Sequence, residues 1–399
     1  MTAQPASSTN APAASPSPRA SAPQFAVRDF SMLISLVCIW AYFGVMSPEY
    51  LSSRNLTNLA IELSITATLA LGMLMVILPG YIDLSAGSGV GLLGGVASVL
   101  VYEQGLPAPV AMAIALVLGV AIWLGMGSLI VTQSIPAFII TLGGLLIFKG
   151  VFWRVIHNAT IPVINPTDGG ANLYSMLTTY NLPGWAGWAL AIVVILAMAL
   201  LTMQSRERRR SLGLPMEDTE MAFLKVFIAA QLTILFVVVM NQFRGIPVSA
   251  VILGAAAVSV HVLTKHTAFG RYLYAIGGNE QAAFISGIPV KRVVIIAYGL
   301  MGGIVALTGL MRTAFAGSST TTVGDLMELD AIAACVIGGA SLKGGRGTVG
   351  GVLFGALLMA SLINGMTLMS FEQETKFIAR GIVLVLAVWM DVKLSAPAR

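Results

Sequence analysis

The sequence predicts an all-α, polytopic transmembrane helix bundle of about ten to twelve hydrophobic segments. Three observations carry that prediction. Hydrophobic residues make up 57% of the 399 residues and charged ones only 10%, against about 25% charged in a soluble domain. Mean hydropathy is +0.88. The apolar residues also fall in runs near or above the roughly 17–25 residues that cross a bilayer as a helix. A soluble core of this size would bring a charged surface with it, and the composition holds none. The 42 glycines suit helices that gain from close backbone approach in lipid.

Residues 1–27 are Ala, Pro and Ser with almost no large apolar side chains, so a disordered tail is expected. The tail is a poor signal peptide, because the first apolar stretch starts late and leads into further spans. Residues 28–399 then read as one transmembrane domain, with segments at roughly 30–47, 58–80, 86–102, 108–131, 135–153, 185–203, 222–241, 247–264, 293–313, 329–342, 350–369 and 377–392. The run 329–342 is short enough to be re-entrant or broken rather than spanning. The lysines and arginines orient the set. A basic loop at 204–220 holds "SRERRRSLG", the loop 265–292 holds "TKHTAFGRYLY" and Lys291-Arg292, and "SLKGGRG" carries Lys343 and Arg346. With Arg28 and the tail inside, alternation puts all of these in the cytoplasm together with Lys393 and Arg399. The opposite loops hold scattered single charges such as Arg54, Arg154, Arg244 and Lys376. Both termini are therefore expected to be cytoplasmic.

Within the loop 265–292, "NEQAAFISGIP" reads as an isolated helix of about two turns, Glu280 to Ser286. Asn279 is a good N-cap, Gly287 can take the left-handed closing conformation, and Pro289 cannot continue a helix. Two turns are unstable alone in water. The segment needs something to dock against.

Few residues carry chemistry. Cys38 and Cys335 sit inside apolar runs, and His157, His261 and His266 show no metal-ligand spacing. The net charge of +5 is concentrated in loops and does not indicate nucleic acid. Gly89-x-Gly91-x-x-Gly94 matches a dinucleotide fingerprint without the strand that would have to precede it, and "GGASLKGGRG" lacks the Gly-Lys-Ser/Thr ending of a phosphate loop. No catalytic constellation, metal or cofactor site is indicated, so the energy source is an ion gradient or another subunit. An internal echo pairs Gly87, Gly91 and Gly95 with Gly347, Gly351 and Gly355, two ladders that each open a span. Such ladders pack helices closely and hint at a repeat.

Two polar groups lie near membrane depth. In "PGYIDLSAGS", Asp83 and Ser85 sit between apolar flanks beside Gly87, either lining a pathway at a broken helix or capping the following one. In "TTVGDLMELDAIAA", Asp325, Glu328 and Asp330 mark either a solvated outer loop or a vestibule.

"GYIDLSAGS", "SIPAFIITLGGLLIFKG", "GRYLYAIGGNEQAAFISGIPVKRV" and "ELDAIAACVIGGASLKGGRGTVGGVLFGALL" together resemble the membrane subunits of bacterial ABC importers for ribose, xylose, arabinose and galactose. The resemblance runs from about residue 30 to 392. The length and the basic insert look most like the D-xylose branch. Pro79-Gly80-Tyr81 departs from the Gly-Gly pair usual before Ile-Asp-Leu-Ser. The resemblance implies a homodimeric permease in the bacterial inner membrane, a cytoplasmic ATP-binding subunit and a periplasmic sugar-binding protein. It also implies that Gly277, Gly278, Asn279, Glu280, Ala282, Ala283, Phe284 and Gly287 form the Glu-Ala-Ala-like element that touches the ATPase. There the small alanines would allow close approach. Beside this reading stands an ion-gradient-driven secondary transporter of small polar solutes, which would need a charged relay through the spans.

Overall fold

The computed structural model of the chain describes residues 27–165, 169–214 and 218–395. All of the expected tail except its last residue lies outside these. Each of the twelve expected segments is a helix: α1 (Val27–Met46), α2 (Ser53–Ile77), α3 (Ala86–Tyr102), α4 (Ala108–Gln133), α5 (Ala137–Val155), α7 (Gly184–Ser211), α8 (Thr219–Asn241), α9 (Val248–His266), α12 (Val290–Ala316), α13 (Met327–Ile337), α14 (Val349–Leu368) and α15 (Gln373–Ser395). Three short helices lie between them: α6 (Leu173–Thr179), α10 (Ala268–Gly278) and α11 (Glu280–Ile285). Two short strands, β1 (Ile161–Pro162) and β2 (Ser318–Ser319), pair antiparallel. Among the described residues eight helices are long and apolar enough to cross a membrane, and α3 and the apolar part of α1 are shorter. At 11 residues, α13 is about 16 Å long and covers only half of a bilayer core.

Burial separates a centre from a periphery. The most apolar stretch of α2 is 78% buried and that of α12 67%, against 11% for α7 and α8. α12 lies against α4, α3 and α2, while α7 and α8 form a hairpin that touches the rest of the bundle mainly through α2. Small residues make the central contacts possible. A Cβ on Gly302 would stand 2.3 Å from the Gly119 carbonyl oxygen, and one on Gly309 would stand 2.6 Å from that of Val90. Helix backbones that close leave no room for a methyl group.

Two ends follow from the helix directions. Ser53 Oγ donates to Gln242 Oε1 at 2.7 Å and Leu182 N to the Ile246 carbonyl at 2.8 Å, which gathers the starts of α2 and α7 and the end of α8. The other end of α2 meets the α10–α11 corner and the loop after α13. That second end, the basic end, holds the three basic segments.

Two loops differ from expectation. The first part of the segment 204–220 continues α7 to Ser211. Arg and Glu are good helix formers, and Arg208, Arg209 and Arg210 sit where the helix dipole favours cations. The segment 265–292 contains α10, whose Gly270, Leu273 and Ile276 are buried at three-residue spacing and whose N-cap Thr267 accepts from Gly270 N.

Candidate transport site

The break between α2 and α3 is built by its own sequence. Gly80, with φ 93°, closes α2, and Tyr81 N donates back to the Val76 carbonyl at 3.1 Å. The chain then runs without regular structure to Ala86, and Asp83 holds it in place. One carboxylate oxygen, Oδ1, accepts from Ser85 N at 2.8 Å and Ser85 Oγ at 2.6 Å, and Oδ2 accepts from Trp123 Nε1 of α4 at 2.6 Å. Three donors therefore satisfy a carboxylate that is 0% exposed. Ser85, not Asp83, stands at the N-cap of α3 and makes no side-chain cap bond. Asp83 is a clamp on the break and lines none of the described cavities.

The glycine ladders face neighbours. A Cβ on Gly87 would meet Glu328 and the Gly324 carbonyl, and those on Gly91 and Gly95 would meet Phe152 of α5. On the second ladder, Gly347 lies on Leu74 and Ala340, Gly351 on Gly338 and Gly355 on Ala334. Each ladder thus seats the helix after a break against another element, as close packing requires.

Asp330 lies elsewhere, on a cavity of about 800 Å³ near the end opposite the basic one. Its wall carries Glu62 of α2, Arg312 and Phe315 of α12, Asp330 of α13, and Phe377 and Arg380 of α15. The Arg380 Nε–Asp330 Oδ1 separation is 3.3 Å. Glu62 Oε2 accepts from Asn364 Nδ2 at 3.3 Å, and Asn364 Oδ1 accepts from Asn55 Nδ2 at 2.9 Å. Beside this chain the Tyr50 hydroxyl donates to the Ser361 carbonyl at 3.2 Å. Burial pushes the Tyr50 phenol up to about 12, so it stays a neutral donor at physiological pH. Lys149 of α5 pairs with Asp325 in the loop before α13. The wall thus mixes carboxylates and guanidinium groups with two phenylalanines. Among the described residues no group of three or more His, Cys, Asp or Glu could hold a metal ion.

At the basic end, α11 is the isolated helix that the sequence predicts, ending one residue early. Asn279 Oδ1 accepts from Ala282 N at 2.9 Å, and Gly287 closes it at φ 83°. Phe284 and Ile285 are 71% and 84% exposed. Ala282 is exposed too, but Ala283 is only 4% exposed and belongs to the main core. The expectation that both alanines offer close approach to a partner therefore fails for Ala283, because one face of so short a helix must rest on its own bundle. The glycine pair before α11 divides similarly. A Cβ on Gly277 would be 1.9 Å from the Leu78 carbonyl oxygen and 2.3 Å from Gly345 N, whereas one on Gly278 would meet nothing. Gly344 lies against both Gly277 and Gly80, Gly345 N donates to the Leu78 carbonyl at 2.9 Å, and the Tyr274 hydroxyl of α10 donates to the Gly347 carbonyl at 2.7 Å. The root of α11 thus touches both helix breaks, backbone to backbone.

Sequence reading missed Trp123, Arg312 and Arg380. The two arginines could have been found, since a charge inside an apolar run is costly and marks a site. Trp123 gives no such signal, because its role depends on a partner 40 residues away.

Residues 55–388 match the family described as branched-chain amino acid transport system / permease component. The xylose transport system permease protein XylH of Haemophilus influenzae is 38% identical over 363 residues, 91% of this chain and 95% of its own. The protein of the same name from Escherichia coli K12 is 36% identical and covers 91% of each chain. The ribose import permease protein RbsC of Escherichia coli K12 is 33% identical over 361 residues, 90% of this chain and 92% of its own. No solved structure matches the chain significantly. With a match over most of its length and a bundle of apolar helices to go with it, this multi-pass membrane protein belongs to the branched-chain amino acid transport system / permease component family.

Proposed function

We propose that the chain is the membrane permease of an ATP-binding-cassette importer that carries a monosaccharide, D-xylose first among candidates, across the bacterial inner membrane. The observation that carries this reading is α11. It is a capped, basic-end helix with two bare apolar side chains, and its root Gly277 abuts both helix breaks. In the proposed machine the basic end and both termini face the cytoplasm, an ATP-binding subunit grips Phe284 and Ile285, and two permease copies form the pathway. A periplasmic binding protein delivers the sugar to the opposite end, where the cavity of Glu62, Arg312, Asp330 and Arg380 receives it. Hydrolysis belongs to the partner subunit. Similarity to xylose permeases supports the choice of sugar.

Reconstitution into liposomes tests the proposal. Uptake of labelled xylose should require the ATP-binding subunit, ATP and the binding protein together. Uptake by the permease alone, driven by a proton or sodium gradient, would establish the secondary-transporter reading instead.

A further inference from the structure

The α7–α8 hairpin stands apart from the rest of the bundle, and its basic end holds a cavity that the transport reading does not use. This cavity, about 320 Å³ in volume, is lined by Leu201, Thr202, Ser205, Arg206 and Arg209 of α7 and by Ala222 and Lys225 of α8. The α7 positions run i, i+1, i+4, i+5, i+8, so they form a single stripe down one helix face. Arg208 and Arg210 do not line the cavity. Along it the chemistry changes from apolar at Leu201, through two hydroxyl side chains, to two guanidinium groups, over a rise of about 12 Å.

Arg206 is held in position by α8. Its Nη1 donates to the Asp218 carbonyl at 3.3 Å and its Nη2 to Thr219 Oγ1 at 2.8 Å. Lys225 reaches the cavity from six residues inside α8, among Phe223, Leu224, Phe227 and Ile228, all of them exposed. Those four side chains, with exposed Leu200, Leu201 and Met203 on α7, leave the outside of the hairpin apolar. A lysine on such a surface is placed so that its ammonium can reach an anion at the headgroup level while its stem lies along hydrocarbon. Basic pockets between transmembrane helices at a membrane face take the phosphate of anionic lipids.

We infer that the α7–α8 cavity binds the headgroup of one anionic phospholipid, the phosphodiester between Arg206, Arg209 and Lys225 and the acyl chains along the apolar flank of the hairpin. The apolar flank favours a lipid over a free phosphate ion, which would have no use for it.

Native mass spectrometry of the full-length detergent-solubilised protein, titrated separately with phosphatidylglycerol, phosphatidylcholine and inorganic phosphate, tests this. One phosphatidylglycerol should be retained at least tenfold more tightly than phosphatidylcholine, and millimolar phosphate should not displace it. Two variants of equal charge then separate a site from diffuse attraction. Arg206→Gln/Arg209→Gln should lose the preference at least tenfold, while Arg208→Gln/Arg210→Gln should keep it. Lys225→Gln, which leaves the Arg206 contacts to α8 in place, should weaken retention severalfold. Equal retention of both lipids, equal loss in the two double variants, or displacement by phosphate would each overturn the inference.

Discussion

Replacing Phe284 by alanine tests the proposed docking helix where it is most open to measurement. A buried phenylalanine removes about 150–250 Å² from water. Phe284 is 71% exposed, so a partner that covered it would occlude roughly 140 Å², worth about 3.5 kcal/mol at about 25 cal/mol per Å². Ordering the side chain costs about 1 kcal/mol, and incomplete coverage lowers the figure further. About 2 kcal/mol is the expected loss, roughly a thirtyfold weaker complex with the ATP-binding subunit. The folded subunit should hardly notice, since exposed substitutions usually stay within about 0.5 kcal/mol. The assay is the dissociation constant of the purified permease and ATP-binding subunit in detergent, with stimulated ATP hydrolysis in liposomes as the functional readout. An affinity within twofold of the unaltered protein, and hydrolysis to match, would refute the assignment of α11. Ala283→Trp cannot serve for this purpose. Ala283 is packed in the core, and a bulky side chain there would disturb the fold itself.

Three further outcomes follow from the same geometry. Asp83→Asn must turn its amide NH₂ toward either the Ser85 donors or the Trp123 N–H, which costs about 1–3 kcal/mol for an unmatched buried donor. The thermal midpoint should fall and transport with it, and an unchanged midpoint would remove the clamp. Arg380→Gln leaves Asp330 without its close partner, at a cost of about 3–5 kcal/mol. The Asp330→Asn/Arg380→Gln double variant should recover part of that loss in a denaturation cycle, and strict additivity would deny the pairing. A methyl group at Gly277 has nowhere to go, while one at Gly278 meets open space. Gly277→Ala should therefore abolish stimulated hydrolysis or assembly, Gly278→Ala should not, and equal behaviour of the two would argue against a tight corner.

Helices and breakers were legible because each is a local property. Apolar runs, the Asn279 cap, the Gly287–Pro289 stop and the shortness of 329–342 all lie within a few residues, and each appears in the fold. What was not legible depends on distant partners. Asp83 reads as a cap or a pathway residue until Trp123 arrives from α4. Ala282 and Ala283 look alike in sequence, and only the bundle beneath α11 decides which of them turns inward. Asp330 reads as part of either an outer loop or a vestibule until Arg380 comes from α15. The continuation of α7 into the basic segment is local too: a cluster of arginines marks a loop by its charge, while arginine and glutamate favour helix.

On the proposed function, a contact on α11 has to act on a cavity on the other side of the bundle, and the two ends are physically connected. Two full-length helices, and one half-length helix with the loop that follows it, join them. α2 carries Glu62 at the cavity and ends at Leu78, whose carbonyl oxygen lies against Gly277 and accepts from Gly345. α12 starts at Val290, just after the α11 stop, and carries Arg312 to the cavity wall. α13 carries Asp330 and leads through Gly338 into the loop that holds Gly344 and Gly345. α2 and α12 are continuous helices over this distance, and the contacts at the basic end are backbone to backbone, with no flexible side chain between to absorb a shift. A displacement of α11 by a partner must therefore move these helices together or break the Gly345–Leu78 hydrogen bond. The residues it would move relative to one another are Glu62, Arg312 and Asp330, which line the cavity from three different helices. If the proposed docking holds, the tight corner at Gly277 is the link through which a pull on α11 would reach the helices. For this reason the contrast between Gly277 and Gly278 bears on the mechanism more directly than any change in the cavity itself.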